Sequence, residues 1–285
     1  MTATLDSASI PLTLDGFPAD PPLTPGGAPS GLRWRTSAAD LSAIGLAELN
    51  ASAALLTRVD RKYVLSQGDL PAIWASLPDD ARVLEIGGDR AFAYRSTYLD
   101  TPDLASFRAS AQARRRRWKV RTRHYATGDS FLEVKTRRGA STVKERIDWP
   151  EAHRLADTGR LDAVGDAFVD DRLAAAGIAL DAGALIPVLV TAYRRTTVYL
   201  PATGSRATCD TDLVWSTPDS AASRALTGRV VLETKSGSTP SQLDRTLWRL
   251  GHRPQRLSKY AVGLAARHPE LSHNRWHRIV STLGG

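Results

Sequence analysis

The sequence predicts an α+β fold, an antiparallel β-barrel with surrounding helices. Three observations carry this expectation. Eight short stretches favour strand and are separated by Gly, Pro, Asp and Ser. Within them charged and apolar residues alternate, which gives each strand one charged and one apolar face. Helical spacing is confined to segments before, between or after them. About eight strands suffice to close a barrel, and closure turns one face of every strand inward.

The elements follow in chain order. Residues 1–33 hold six prolines and four glycines with no apolar periodicity, so they bury too little surface to offset ordering and are expected to form a disordered tail. From Ala38 to Leu56, apolar residues at roughly helical spacing predict a first helix, capped by Ser37 or Asp40. Strands are expected at Arg58–Leu65, Ala91–Leu99, Trp118–Tyr125, Ser130–Thr136, Thr142–Trp149, Val188–Leu200, Arg206–Trp215 and Val230–Thr234. Helices are expected at Leu70–Leu77, Leu104–Gln112, Arg172–Ala176, Gln242–Leu250 and Lys259–Arg267. One domain then spans 38–268, followed by a C-terminal extension over 269–285.

Charge adds a functional constraint. The 285 residues carry a net charge of +8, and residues 101–150 alone, with thirteen basic and five acidic side chains, account for all of it. Such a concentrated field suits a polyanion. Strand phase places Arg58, Asp60 and Lys62 on one face. The same holds for Lys119, Arg121 and Arg123; for Glu133, Lys135 and Arg137; for Lys144 and Arg146; for Tyr193 and Arg195; for Arg206, Thr208, Asp210 and Asp212; and for Glu233 and Lys235. A lone charged face is usually solvated, but a basic face recurring on seven strands points to an interior that an anion or interleaved carboxylates must neutralise. Arg114–Arg117 is expected to be a solvated run acting as an electrostatic funnel.

These residues resemble a known family. Arg61-Lys62-Tyr63-Val64, the Tyr98 to Leu104 turn, Lys119-Val120-Arg121-Thr122-Arg123, Phe131 to Thr136, Val143-Lys144, Tyr193-Arg194-Arg195, Asp210 to Leu213, Leu232 to Lys235 and Leu257-Ser258-Lys259-Tyr260 resemble, in order, the VTC domain. That domain is the polyphosphate-polymerase branch of the triphosphate tunnel metalloenzymes, also called CYTH-like. The resemblance implies a basic tunnel in which Lys62, Arg121, Arg123, Lys135, Lys144, Arg195, Arg206 and Lys259 hold phosphates. It implies further contacts from Arg137, Tyr193, Arg256 and Ser258, and a Mn²⁺ or Mg²⁺ on Glu233. It implies an enzyme that transfers the terminal phosphoryl group of ATP, or another triphosphate, to inorganic polyphosphate. Two alternatives stand beside it: a polyphosphate-binding module without turnover, and a triphosphate hydrolase of the same superfamily.

The wider superfamily opens with Glu-x-Glu-x-Lys where this chain has Arg58-Val59-Asp60-Arg61-Lys62, which disfavours a two-metal hydrolase. No zinc pattern and no Walker loop occur, so side chains must hold the phosphates. Trp118, Trp149, Trp215 and Trp248 are expected in the core, which argues against nucleic acid as a partner. With a single cysteine, no signal peptide and no apolar span, the chain is expected to be cytoplasmic, without membrane insertion. The SPX domain and membrane helices of eukaryotic members are not recognised, which leaves room for a separate membrane partner.

Overall fold

The structure is a computed structural model that describes residues 37–52, 59–125, 128–139, 141–153, 155, 158–218 and 222–283. The tail expected over 1–33, the helix end at Leu55 and Leu56, and Arg58 lie outside them. The strands are β1 (Ser42–Ile44), β2 (Val59–Ser66), β3 (Arg82–Leu84), β4 (Phe92–Asp100), β5 (Arg116–Tyr125), β6 (Ser130–Arg138), β7 (Ser141–Asp148), β8 (Ile186–Leu200), β9 (Ser205–Ser216), β10 (Ser223–Ala225) and β11 (Arg229–Ser236). The helices are α1 (Leu46–Ser52), α2 (Leu70–Ala75), α3 (Ala105–Ala111), α4 (Ala163–Ala175), α5 (Gln242–Arg249), α6 (Lys259–Arg267) and α7 (His277–Val280).

All eight expected strands form, and they join one antiparallel path in the order β2-β11-β9-β8-β4-β5-β6-β7. Three short strands were not expected: β1 pairs parallel with β3, β3 pairs with β8, and β10 pairs with β9. The single helix expected over Ala38–Leu56 is instead a 3-10 turn at Ala38–Asp40, then β1, then α1. Ile44 leaves the helical register to be buried beside Leu84 and Tyr199. Helix α4 is longer than the expected Arg172–Ala176, because Asp162 caps it ten residues earlier by accepting from the Gly165 amide at 2.7 Å.

The sheet is not closed among the described residues, so the expected barrel is not confirmed: β2 and β7 end the path without pairing to each other. Strand β7 is exposed or half-buried along its whole length; half-buried Ile147 alone packs it on the core cluster under α4, and Lys144, Glu145 and Arg146 guard it as a charged edge. The sheet nevertheless curls. At about 4.8 Å per strand a flat sheet would hold β6 about 29 Å from β2, yet Lys135 on β6 feels the charges of Lys62 and Asp60 on β2.

Curling separates two faces. On the outside, Tyr63, Leu65, Val198, Ala207, Cys209, Val230 and Leu232 pack under α2 and α5. At the other end Val120, Leu132 and Val134 pack under α4. Asp244 ties α5 down: buried, it accepts from Tyr63 (2.7 Å) and Thr234 (2.6 Å) and completes a capping box with Ser241. The inside is divided. One end is filled by α6 and the Trp276–Ile279 segment, which pack on Tyr98, Leu189, Tyr193 and Val231; the rest is charged. Gly263 sets how closely α6 approaches, since a Cβ there would press into the Trp215 ring, with Nε1 at 2.6 Å, and meet Leu189 Cδ2 at 2.8 Å. Gly263→Ala should therefore cost about 1–3 kcal/mol of stability, measured by denaturant unfolding.

Candidate functional site

Strand alternation delivers the charges to the concave face as the sequence predicts. Register places Lys119 opposite Lys135, which faces Lys144; Arg121 lies opposite Glu133. Across the curl, Glu233 lies between Lys62 and Thr208, and Lys235 between Asp60 and Arg206. Asp210 pairs with Arg195. Asp212, expected in the same row, is displaced: a register shift between Ala192 and Arg194 and a φ of 54° at Asp212 turn it to solvent.

Three carboxylates each hold two cations. Glu133 accepts from Arg121 Nε at 2.7 Å and from Lys144 Nζ at 2.6 Å. Asp210 takes both arms of Arg195, at 2.6 and 2.8 Å, and also binds Lys259. Glu233 meets Lys62 at 3.0 Å and Lys235. Burial opposes ionisation of each acid, but the paired cations overcome it: Lys259 and Arg195 hold Asp210 at about 2, while Glu133 and Glu233 sit well below the usual carboxylate range.

The remaining cations are short of counter-charge. Burial, then the charges of Lys135, Arg121, Lys62 and Arg117, push Lys119 down to about 7. Its ammonium donates to Ser258 Oγ at 2.7 Å, and no carboxylate pairs with it among the described residues. Burial also lowers Lys144 and Lys235 to about 8 despite their glutamates. Several inner polar atoms have no partner at all: Arg123 Nε, Ser96 Oγ, Thr191 Oγ1 and Thr208 Oγ1. Arg123 is 7% exposed, so its orphaned N–H is a strong demand for an acceptor.

A layer of aromatic rings, not foreseen from the sequence, lies beneath these cations. Arg123 and Arg195 stand 5.5 and 5.1 Å from the Tyr94 ring centre, Lys259 4.1 Å from Tyr193, Arg121 5.7 Å from Tyr98 and Lys119 5.7 Å from Tyr260. The ring quadrupoles favour cations that burial would otherwise penalise, and the stacked Tyr94 and Tyr193 rings, 5.4 Å apart, hold them in place. Tyr193, expected as a contact, thus supports two cations and receives a 3.5 Å bond from Arg123. Tyr94 belongs to the site without having been singled out, and Tyr98, noted only as the start of the Tyr98 to Leu104 turn, joins it through its ring.

Helix α6 completes the face. Ser258 caps it by accepting from Ala261 N at 3.2 Å, and its N-terminal amides add partial positive charge beside Lys119 and Lys259. Asp100 anchors the helix from below: its carboxylate accepts from Tyr260 and from the amides of Thr101, Ser106 and Phe107. Arg206 is half-buried in the lining. Arg137 and Arg256 lie further out and are exposed, and the Arg137 guanidinium donates to the Gly139 carbonyl at 2.9 Å. Arg114, Arg115 and Arg116 are exposed, as expected of a solvated run, but Arg117 at its end is half-buried.

Among the described residues no cluster of three or more His, Cys, Asp or Glu side chains could hold a metal by itself, and no helix is long and apolar enough to cross a membrane.

The arrangement is a concave wall of Lys and Arg, partly neutralised and backed by rings, with polar atoms left unsatisfied. Such a wall has the chemistry to hold an oxyanion-rich ligand. The search of curated proteins gives no match. Among solved structures, the chain is similar to "The crystal structure of the inorganic triphosphatase NE1496", at 16% identity over 65% of this chain and 77% of that one, with a TM-score of 0.27. The VTC domain matches residues 57–268, from just before β2 to the end of α6. By that match over most of its length, the chain belongs to the VTC domain family.

Proposed function

We propose that this protein is a polyphosphate polymerase, transferring the terminal phosphoryl group of a nucleoside triphosphate, ATP foremost, to a growing polyphosphate chain. The observation that carries the reading is the surplus of inward cations on the concave face, with Arg123 Nε and the hydroxyls of Ser96, Thr191 and Thr208 left without partners. A concave face lined in this way grips phosphate oxygens and leaves the nucleoside free of specific contacts.

The reaction asks little covalent chemistry of the protein. A terminal oxygen of the acceptor chain attacks the γ-phosphorus, a P–O bond forms, the bond to the β-phosphate oxygen breaks, and the nucleoside diphosphate leaves with that electron pair. Arg121, Arg123 and Arg195, held at fixed angles by Glu133, Asp210 and the tyrosines, orient the triphosphate and stabilise charge on the transferred group. Lys62, Lys135, Lys144, Arg206 and Lys259 hold the flanking phosphates.

Glu233, with Asp60 one strand away, offers hard oxygen to a divalent cation. This donor set fits Mg²⁺ or Mn²⁺ shared with substrate phosphates and does not fit a cation held by protein alone. When bound, such a cation would neutralise charge developing between the β- and γ-phosphates. Lys62 and Lys235, which now occupy the Glu233 carboxylate, would turn to phosphate as the ligand arrives. That same occupation favours a second reading, a polyphosphate-binding module in which Glu233 only neutralises lysines.

Incubating the protein with ATP and Mn²⁺ and separating the products on a gel distinguishes the two. The polymerase yields a polyphosphate ladder; binding without product would leave the module.

Lys119 gives binding a pH dependence. A phosphate ligand favours the charged ammonium, which the free protein carries fully below about 7 and loses above it. Tripolyphosphate affinity should therefore fall as pH rises from 7 to 9, by up to about tenfold per unit, with proton uptake detectable by calorimetry in buffers of differing ionisation enthalpy. Lys119→Met should reduce the slope, leaving the part that Lys144 and Lys235, lowered to about 8, contribute; an unchanged slope would show that Lys119 does not contribute.

A further inference from the structure

Beyond the lining, one step outward along β5 and β6, lies a second concentration of positive charge that the family resemblance only partly includes. Arg117 and Arg137 are direct cross-strand partners, an arrangement in which like charges destabilise a sheet. Arg256, on the approach to α6, and Arg275, in the 3-10 turn Asn274–Trp276, join them: Arg117 feels Arg137 and Arg275, and Arg275 feels Arg256 and Arg137. No carboxylate pairs with Arg117, Arg256 or Arg275 among the described residues. The position of Arg275 is fixed, because Trp276 beside it is buried against Phe107, with ring centres 5.9 Å apart. Residue 275 lies beyond the segment matched by the VTC domain.

We infer that Arg117, Arg137, Arg256 and Arg275 form a guanidinium collar at the mouth of the concave face. It binds phosphates of a long polyphosphate chain that reach past the Lys119–Lys135 row. The inference rests on the proposed function and adds to it a determinant of chain length. Two residues of strand separate Arg117 from Lys119, about 7 Å, so the collar is an extra step along an extended ligand. A short ligand held in the lining does not need it. Guanidinium forks suit this role, since each can take two oxygens of one phosphate or bridge two neighbours. The repulsion among the four groups in the free protein is relieved when the polyanion arrives.

The test compares tripolyphosphate with long-chain polyphosphate by titration calorimetry at fixed ionic strength, for the wild type and for the double variant Arg117→Ala/Arg275→Ala. Thermal melts first confirm that the variant folds, and Arg275→Gln provides a milder second variant. The collar predicts that long-chain affinity falls by on the order of tenfold or more in the double variant, with a smaller loss for Arg275→Gln, while tripolyphosphate affinity stays within about twofold. Unchanged long-chain affinity would overturn it. So would an equal loss for both ligands, which would place these arginines in the lining. Single-stranded DNA or anionic phospholipid vesicles competing as strongly per phosphate as polyphosphate would also overturn it, in favour of a general polyanion surface. A wild type that fails to bind tripolyphosphate at all would reject the proposed function itself, and the collar with it.

Discussion

Glu233→Gln should sharply impair metal-dependent turnover while leaving phosphate binding in place. The substitution keeps side-chain volume and one acceptor oxygen but removes the charge that would attract a divalent cation. Loss of one such electrostatic contribution costs roughly a hundredfold to a thousandfold in kcat. Binding should respond differently. In the free protein the Glu233 carboxylate holds Lys62 and Lys235, so its neutralisation frees two ammonium groups for the ligand, and the tripolyphosphate Kd should stay within about threefold of wild type or tighten. Steady-state rates with ATP and Mn²⁺, set beside calorimetric titration, give the two readouts. Equal loss of both would make Glu233 a structural neutraliser of the lysines and would favour the binding module.

Asp210→Asn should be the most destabilising of the lining substitutions. Asp210 is 1% exposed and carries both Arg195 and Lys259. Removing one member of a buried ionic cluster costs about 3–5 kcal/mol, because the remaining charges are left uncompensated. Acid should reproduce part of this effect in the wild type. The folded pKa of about 2 lies below the ordinary value of 3.8, so the stabilisation is fully present above about pH 4 and is lost as pH falls through 2. A shift of this size corresponds to roughly 2 kcal/mol. The ligand should reverse the variant's defect: a polyanion at a hundredfold its Kd restores about 2.7 kcal/mol. Urea titrations of both proteins, with and without tripolyphosphate, measure each quantity. A variant as stable as wild type would show that Arg195 and Lys259 do not depend on Asp210.

The strand framework and the charged lining were legible because a period of two is a local signal. In Lys119-Val120-Arg121-Thr122-Arg123 or Phe131-Leu132-Glu133-Val134-Lys135, burial on one face and charge on the other are written residue by residue, and the structure keeps that phase. What the sequence could not supply was set by distant partners. Strands β1, β3 and β10 are three residues each, too short to alternate, and owe their extension to neighbours. Closure was not confirmed because strand number permits a barrel without pairing its ends, and the charge of β7 keeps it an edge. The phase of β9 fails at Asp212, where a register shift against β8 inserts an irregularity that no local pattern marks. The tyrosine layer was missed for a similar reason. Tyr94 was not singled out and Tyr98 was noted only as the start of the Tyr98 to Leu104 turn, because only register places them under Arg123, Arg195 and Arg121. The C-terminal residues, expected as an extension, pack through Trp276 and Ile279 against α6, a contact between segments with no shared periodicity.

Competition titration of the full chain most directly tests whether the concave face is a phosphate cradle. ATP, tripolyphosphate and adenosine are titrated at constant ionic strength and pH 7, singly and in competition. The account predicts that tripolyphosphate displaces ATP from a common site, that affinity follows phosphate number, and that adenosine neither binds nor competes. Adenosine competing as well as tripolyphosphate, or ATP binding that tripolyphosphate leaves untouched, would contradict it.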